Sequence, residues 1–241
     1  MVASNRYLKK VPGKPNLSSK TVVDPGSGKV VVEHYFNGRR ALTVELSPKR
    51  GSVAKQICGY LLIRQDLLSA RDWVDMIQSI DERSGNGLLT VNAFRDDGLA
   101  EEKRNIRALF VAALTFYGKC FTDAREGRGI KIEKNSLSTE LRGFHERFRM
   151  LRDDYAAHSG RGFDKSKALV LVDPRRSKAT PPEVTIVLSQ PISPDREELA
   201  KFRELIEHVL SVVDGKIDRA EEKLREMIAG RGLAYWRGKA K

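Results

Sequence analysis

One segment of the chain places an arginine, a carboxylate and a histidine close together, at Arg152, Asp153 and His158. An arginine can stabilise the negative charge that grows on a phosphate under attack. A histidine titrates near neutral pH and can move a proton to or from the reacting oxygens. When the 2′-hydroxyl of RNA attacks its own phosphate, these two groups are sufficient and no metal is required. The segment therefore suits metal-independent cleavage of RNA.

The Arg–His spacing by itself is a weak signal, because it also arises by chance in a chain rich in arginine. Arg203 and His208 repeat it on another predicted helix. The alternative for the first pair is structural: His158 is a core histidine at a helix end, and Arg152 pairs with a nearby carboxylate. Sequence context has to decide between the two interpretations.

The helix that carries the pair is predicted from about residue 137 to residue 158. Its apolar positions alternate spacings of four and three, the pattern of a bundle or coiled-coil seam, at Leu137, Leu141, Phe144, Phe148, Leu151 and Tyr155. At 100° per residue, Arg152 and His158 flank this seam roughly 120° apart. Two such helices facing each other across a two-fold axis could bring both residues to one shared cleft.

Two helical stretches precede this one. The first is predicted over about residues 52–80 as one helix or two, since Ser69 and Asp72 resemble a capping box. Residues 81–97 are predicted to form a loop. The second helix is predicted over about 99–124, where Gly118 indicates close packing in an amphipathic series.

Short strands are predicted on both sides of these helices. Residues 21–46 alternate β-rich runs with the turn signals DPG and NG, which predicts a small β meander, with ALTVEL as its last strand. The runs KALVLVD and EVTIVLS predict a hairpin. The last helix is predicted to begin at Ser193 as its N-cap and to continue past Gly215, as one long helix or two in series.

The net charge of +12 lies almost entirely at the two ends of the chain. Residues 1–50 carry ten basic and three acidic side chains, residues 215–241 carry eight and four, and the middle is nearly neutral. The ends are either solubilising tails, with residues 1–20 poorly ordered, or arms that hold a polyanion near the domain. As a third idea, the tails alone act as a nucleic-acid tether, and Trp236 could stack on a base.

Several functional classes lack their motifs. The chain has no Walker phosphate loop, GxGxxG, HExxH or GxSxG, and its four histidines and two cysteines show no standard metal spacing. We therefore expect no metal and no cofactor. The low cysteine content and the absence of long apolar runs predict a cytoplasmic protein that is not embedded in a membrane.

The segment LRDDYAAHSG resembles the signature of the HEPN superfamily (higher eukaryotes and prokaryotes nucleotide-binding domains). That signature is an arginine, often followed by a polar residue, with four to six residues in all between the arginine and a histidine. The resemblance extends to the FYGKCF run at 116–121 and to Phe144-His145, and it covers roughly residues 52–215.

The resemblance implies a mainly α fold: a helical bundle over 51–230, with a β-hairpin before its long last helix. Residues 1–50 form a basic extension of short strands without a counterpart, and 231–241 form a basic tail. It further implies a homodimer with metal-independent ribonuclease activity in a toxin, abortive-infection or other defence system. RNA and an antitoxin or another protein are the expected partners.

Carried over by residue, the family pattern gives Arg152 the role of stabilising the phosphate, His158 the role of acid or base, and Asp153 an orienting role. Many members are non-catalytic, so a module that binds nucleic acid or a protein is the alternative. Around this pattern we predict three residues that contact RNA, namely Lys119, Arg125 and Arg149. Three further residues are predicted to support the site, namely His145, Tyr155 and Ser159. His145 lies one residue past the seam and is expected at its edge.

Overall fold

The computed structural model describes residues 16–24, 26–46, 52–85, 88–89, 100–123, 129–154, 165–171, 183–189 and 193–239. The described chain is mainly helical, with a small three-stranded antiparallel sheet and a separate two-stranded hairpin. It divides into two compact units, one of residues 49–222 and one that combines residues 1–48 with 223–241.

The larger unit is built on four long helices, one of which continues into the smaller unit. Helix α1 spans Val53–Arg83, α2 spans Ala100–Lys119, α3 spans Thr139–Arg152 and α4 spans Arg196–Ala229. A short 3₁₀ turn, Lys134–Ser136, precedes α3. The hairpin strands β4, Lys165–Leu171, and β5, Glu183–Ser189, pair antiparallel between α3 and α4, as predicted.

One continuous apolar core joins the helices of this unit. Its fully buried members come from α1, α2, α3 and α4, among them Ile63, Leu67, Phe110, Tyr117, Phe148, Phe202 and Val209. The ring of Phe148 on α3 stacks on that of Phe202 on α4 at 4.4 Å between centroids. Burial of these side chains, at about 25 cal/mol per Å² of apolar surface, is the main force that fixes α3 against its neighbours.

The smaller unit contains the predicted meander and the end of the last helix. Strand β1, Leu17–Val23, pairs with β2, Val30–Phe36, which pairs with β3, Arg39–Arg40. The turn after β2 requires positive φ, which Asn37 and Gly38 adopt at 49° and 77°. A short helix α5, Leu233–Lys239, follows α4.

Several predicted boundaries are wrong. Helix α1 is a single helix that ends at Arg83, so the loop predicted from residue 81 starts three residues too early. Ser69 is not an N-cap, because its hydroxyl donates to the Gln65 carbonyl within the helix. Helix α2 ends at Lys119 rather than near 124. Propensity patterns locate helices better than they locate ends, because the ends depend on capping contacts.

Three further predictions near strands and caps are corrected. Residues 41–46 are described outside any strand, so the ALTVEL run leaves the meander after the two-residue β3. Residues 17–20, predicted as part of a poorly ordered end, lie in β1. The N-cap of α4 is Asp195, not Ser193, because the Asp195 carboxylate accepts from the amide of Glu198 at 2.8 Å.

The long last helix passes Gly215 without a break, which settles the choice between one helix and two. Among the described residues, none of the helices combines the length and apolar character needed to cross a lipid bilayer.

Candidate functional site

Arg152 is the last residue of α3, and its guanidinium is held by the next residue. Nε of Arg152 donates to Oδ1 of Asp153 at 2.9 Å, and Nη2 donates to the same oxygen. The backbone adopts π-helical geometry at Asp153 and Asp154, a departure from the α-helix that recurs at functional sites. These two charge-assisted hydrogen bonds fix the direction of the Arg152 guanidinium.

The side chain of Arg152 lies across Gly118, near the end of α2. A Cβ atom at position 118 would stand 2.6 Å from Cδ and 2.7 Å from Nη1 of Arg152. Only a glycine leaves this space, so α2 and Asp153 together fix the direction of the guanidinium. The side chain of Arg152 remains 28 % exposed, which leaves the charged group open to a ligand.

His145 is buried in the interior, which corrects its predicted place at the edge of the seam. It is 1 % exposed, and its Nδ1 lies 2.9 Å from the hydroxyl oxygen of Tyr117 on α2. Its ring also packs against Phe121, with centroids 4.3 Å apart. Burial, followed by the positive charges of Lys134, Arg149 and Arg152, lowers the pKa of His145 to about 4.

The Nε2 atom of His145 is buried and has no hydrogen-bond partner among the described residues. The Tyr117 hydroxyl stays protonated because burial raises its pKa. If that hydroxyl donates to Nδ1, one ring N–H is left unsatisfied. The opposite tautomer leaves both the hydroxyl proton and the Nε2 lone pair without partners, so we assign the proton to Nε2.

These residues border one pocket of about 350 Å³ between α2, the segment that follows it, and α3. The wall is partly apolar and partly charged, with four cations and the carboxylate of Asp123. Its lining includes Tyr117, Gly118, Phe121, Asp123, Lys131, Lys134, His145, Phe148, Arg149 and Arg152. The segment after α2 returns along that helix because the amide of buried Ile132 donates to the carbonyl of Cys120 at 2.8 Å. That contact brings Lys131 and Lys134 to the pocket.

Positive charge exceeds negative charge around this pocket. Glu146 pairs with both Lys134, at 2.5 Å, and Arg149, at 2.9 Å, so two cations share one carboxylate. The hydrogen bond from Lys134 is the main cause that lowers the pKa of Glu146. Lys131 pairs with Asp123 at 3.2 Å. The pocket thus offers a group of cations to an anionic ligand.

The predicted RNA contacts are divided by the structure. Arg149 lines the pocket beside Arg152. Lys119 does not line it: its ammonium lies 3.6 Å from Asp66 and 4.4 Å from the ring centroid of Phe116. Arg125, Tyr155, His158 and Ser159 lie outside the described residues.

In the second Arg–His pair, Arg203 and His208, the arginine has a structural role. Arg203 of α4 donates to Asp75 of α1 at 2.6 Å and lies 3.7 Å from Glu207. Arg203 thus forms an ion pair between two helices, while Arg152 lines a pocket.

The sequence did not identify Lys131 and Lys134 as residues of the site. Nor did it identify Tyr117, which is 1 % exposed, as the hydrogen-bond partner of His145. Within the described ranges, no group of three or more His, Cys, Asp or Glu side chains could hold a metal ion.

Comparison of the chain with protein-family models, with curated proteins and with solved structures finds no match. The site has to be interpreted from its own geometry.

Proposed function

We propose that this chain is a HEPN-like, metal-independent endoribonuclease in which Arg152 stabilises the phosphate during cleavage. The observation that carries the proposal is the placement of Arg152: its guanidinium is fixed by Asp153 and by the space at Gly118, is partly exposed, and borders a cationic pocket. A fixed cation beside a phosphate provides charge stabilisation without reorganisation at the moment of reaction.

In the proposed reaction the 2′-oxygen of a ribose attacks the adjacent phosphorus. The 2′-hydroxyl proton passes to a base, the bond from phosphorus to the 5′-oxygen breaks, and the leaving oxygen takes up a proton. The products are a 2′,3′-cyclic phosphate and a 5′-hydroxyl. The reaction therefore consumes no water and changes no oxidation state. His158 is assigned the proton transfers, and a homodimer would combine Arg152 and His158 of two subunits at one cleft.

The decisive assay is cleavage of labelled RNA by the full chain in the presence of EDTA. We expect cleavage by the wild type and a loss of roughly 100-fold or more in Arg152→Ala and in His158→Ala, with folding intact. Arg147→Ala is the matched control, since Arg147 also lies on α3 and forms a surface ion pair with Glu198. Cleavage that persists in both variants, or no cleavage of any RNA class by the wild type, would contradict the proposal.

Mixing the two inactive variants tests the composite site. If each cleft takes Arg152 from one subunit and His158 from the other, heterodimers of Arg152→Ala and His158→Ala regain part of the activity. If both residues act within one subunit, the mixture stays inactive and the composite arrangement is wrong.

A non-catalytic module that binds nucleic acid is the second candidate, and one observation favours it. His145 is the histidine that lines the described pocket, and burial lowers its pKa to about 4. A histidine with that pKa is poorly suited to proton transfer at neutral pH. RNA binding by the wild type without cleavage would select this candidate.

Defence or toxin activity belongs to the same proposal, since it depends on the HEPN resemblance of residues 152–158. Growth arrest on expression of the wild type, absent for His158→Ala, would support it. Equal growth of both strains, with the protein produced, would contradict it.

A further inference from the structure

We propose that the pocket between α2 and α3 binds a second phosphate group of an RNA chain, next to the one that is cleaved. The pocket is defined here by Lys131, Lys134, His145 and Arg149. The inference rests on the proposed function for the source of the phosphate, but phosphate binding itself needs no cleavage.

The first reason is the balance of charge. Lys134 and Arg149 are both ion-paired to the single carboxylate of Glu146, at 2.5 Å and 2.9 Å. One carboxylate cannot neutralise two cations, so a surplus positive charge remains on the pocket wall. A phosphate oxygen accepts charge-assisted hydrogen bonds from lysine and arginine and would complete this pairing.

The second reason is the buried donor on the same wall. His145 is 1 % exposed, lines the pocket and keeps an Nε2 atom without a partner among the described residues. When the Tyr117 hydroxyl, 2.9 Å away, donates to Nδ1, the ring proton of the neutral imidazole is on Nε2. An unsatisfied buried donor destabilises the free protein. A ligand oxygen that accepts from this donor removes that destabilisation, which adds to the free energy of binding.

The third reason is the volume of the pocket and the apolar part of its lining. Its volume, about 350 Å³, falls within the range of small-ligand sites. Phe121 and Leu114 add apolar surface to the same lining. A phosphate attached to a sugar and a base matches such a mixed lining better than a bare inorganic anion does.

Lys131 and Lys134 line the same pocket as Arg152, so the second phosphate would lie next to the reacting one. Both lie on the segment before α3, whereas Arg152 and Asp153 lie at the opposite end of that helix. Arg149 and Arg152 are three residues apart on one helix, so their side chains are neighbours on one face. Two phosphates of one strand could therefore contact Arg149 and Arg152 in succession.

The test measures binding of a 2′-O-methylated oligonucleotide to the full chain by fluorescence anisotropy. This probe lacks the 2′-hydroxyl nucleophile, so it cannot be cleaved by the proposed reaction. We expect Lys134→Ala and Arg149→Ala to weaken binding by roughly tenfold each, and to lower the salt dependence of binding by about one counterion each.

Lys201→Ala is the matched control. Lys201 is a surface lysine of α4 with an ion pair of 2.5 Å to Glu197, the same length as the pair of Lys134 with Glu146, and it does not line the pocket. If Lys201→Ala weakens binding as much as Lys134→Ala, the effect is nonspecific and the inference is wrong.

Three probes distinguish the source of the phosphate: inorganic phosphate, the oligonucleotide with a 5′-phosphate, and its 5′-hydroxyl counterpart. Equal dependence of both oligonucleotides on Lys134 supports an internal phosphate. Dependence confined to inorganic phosphate or to the 5′-phosphorylated form overturns the internal assignment, and competition by an acidic peptide instead of RNA overturns the ligand class.

Imidazole ¹⁵N NMR of His145 gives a readout that does not require a buried substitution. We expect the Nε2 resonance to move when the uncleavable oligonucleotide saturates the wild type, and an unchanged resonance would overturn the role of His145. Failure of the pocket and failure of the proposed function are separable: cleavage without dependence on Lys134 removes the pocket alone. Binding that depends on Lys134 without any cleavage removes the nuclease.

Discussion

Gly118 and Arg152 share one volume: the guanidinium side chain at the end of α3 fills the space that a side chain on α2 would need. A Cβ at position 118 would meet Arg152 Cδ at 2.6 Å. This contact, rather than a close approach of two helix backbones, explains why a glycine lies in the last turn of this amphipathic helix.

Gly118→Ala should therefore separate stability from activity. The added methyl group displaces the flexible end of Arg152, so we expect a change in unfolding free energy of no more than about 1 kcal/mol. The RNA cleavage rate should fall by roughly tenfold or more because the guanidinium loses its position. Urea unfolding and the EDTA cleavage assay measure the two effects.

Gly143→Ala is the matched control for this prediction. Gly143 lies inside α3, and a Cβ there would meet no atom within 4 Å. This variant should gain up to about 1 kcal/mol of stability and keep full activity. A loss of activity equal to that of Gly118→Ala would mean that the space at 118 is not what matters.

Tyr117→Phe should destabilise the fold through His145. The variant removes the hydroxyl 2.9 Å from His145 Nδ1 and leaves a buried ring nitrogen without its partner, at a cost of about 1–3 kcal/mol. Tyr235→Phe, which removes an exposed bond of 2.7 Å to Arg231, should stay within about 0.5 kcal/mol. Chemical denaturation of both variants makes the comparison, and equal effects would contradict the assigned burial of the Tyr117–His145 pair.

Stability should fall with acidification in a window set by His145. Its pKa is lowered from 6.5 to about 4 by burial, with the charges of Lys134, Arg149 and Arg152 acting in the same direction and Glu146 against it. The unfolded chain therefore binds the proton first. The contribution of His145 to stability is fully present above pH 6.5 and is lost as the pH falls toward 4.

The size of this contribution is about 3 kcal/mol, from a pKa difference of more than two units. His145→Gln, whose amide oxygen can still accept from Tyr117, removes the titrating group. Unfolding free energies of wild type and variant at pH 7, 5.5 and 4 should converge at low pH because only the wild type loses this term. Parallel curves would show that His145 is not the group responsible.

Asp81 should be among the most sensitive carboxylates of the larger unit. It is 1 % exposed, accepts from the amides of Leu88 and Leu89 at 3.0 and 3.1 Å, and pairs with Arg196 of α4. Asp81→Ala leaves these donors without their acceptor, and we expect a loss of about 3–5 kcal/mol.

Arg196→Ala should cost less, since the two amides still bind the carboxylate. Asp72→Ala is the exposed control on the same helix, at 62 % side-chain exposure, and should stay within about 0.5 kcal/mol. Thermal or urea unfolding ranks the three variants. If Asp81→Ala destabilises the protein no more than Asp72→Ala does, the stabilising role of the Asp81 contacts is wrong.

The sequence predicts the long helices, the hairpin and the first two strands of the meander, because periodic apolar positions and turn residues act locally. It does not predict that His145 is buried. Position 145 is one residue past the apolar seam, and its burial depends on the Tyr117 hydroxyl, which is 28 residues away in sequence. The Arg152 contact with Gly118 is likewise a property of how two helices pack, which no single helix pattern contains.

The ends of helices likewise depend on contacts that the local sequence does not determine. Asp195 and Ser193 are both good caps by residue type, and only the direction of the chain entering α4 selects Asp195. The place of Lys134 at the site was not predicted, since its approach to α3 depends on the hydrogen bond from the Ile132 amide to the Cys120 carbonyl.

The ion pair between Asp81 and Arg196 also has a consequence for folding during translation. It joins residues 115 positions apart, and α4 supplies core side chains such as Phe202, Ile206 and Val209. On the ribosome, α1 to α3 emerge before the helix that closes their core, so the nascent chain exposes apolar surface until α4 has been made. A chain of this design cannot position its pocket against a finished core until α4 has been synthesised.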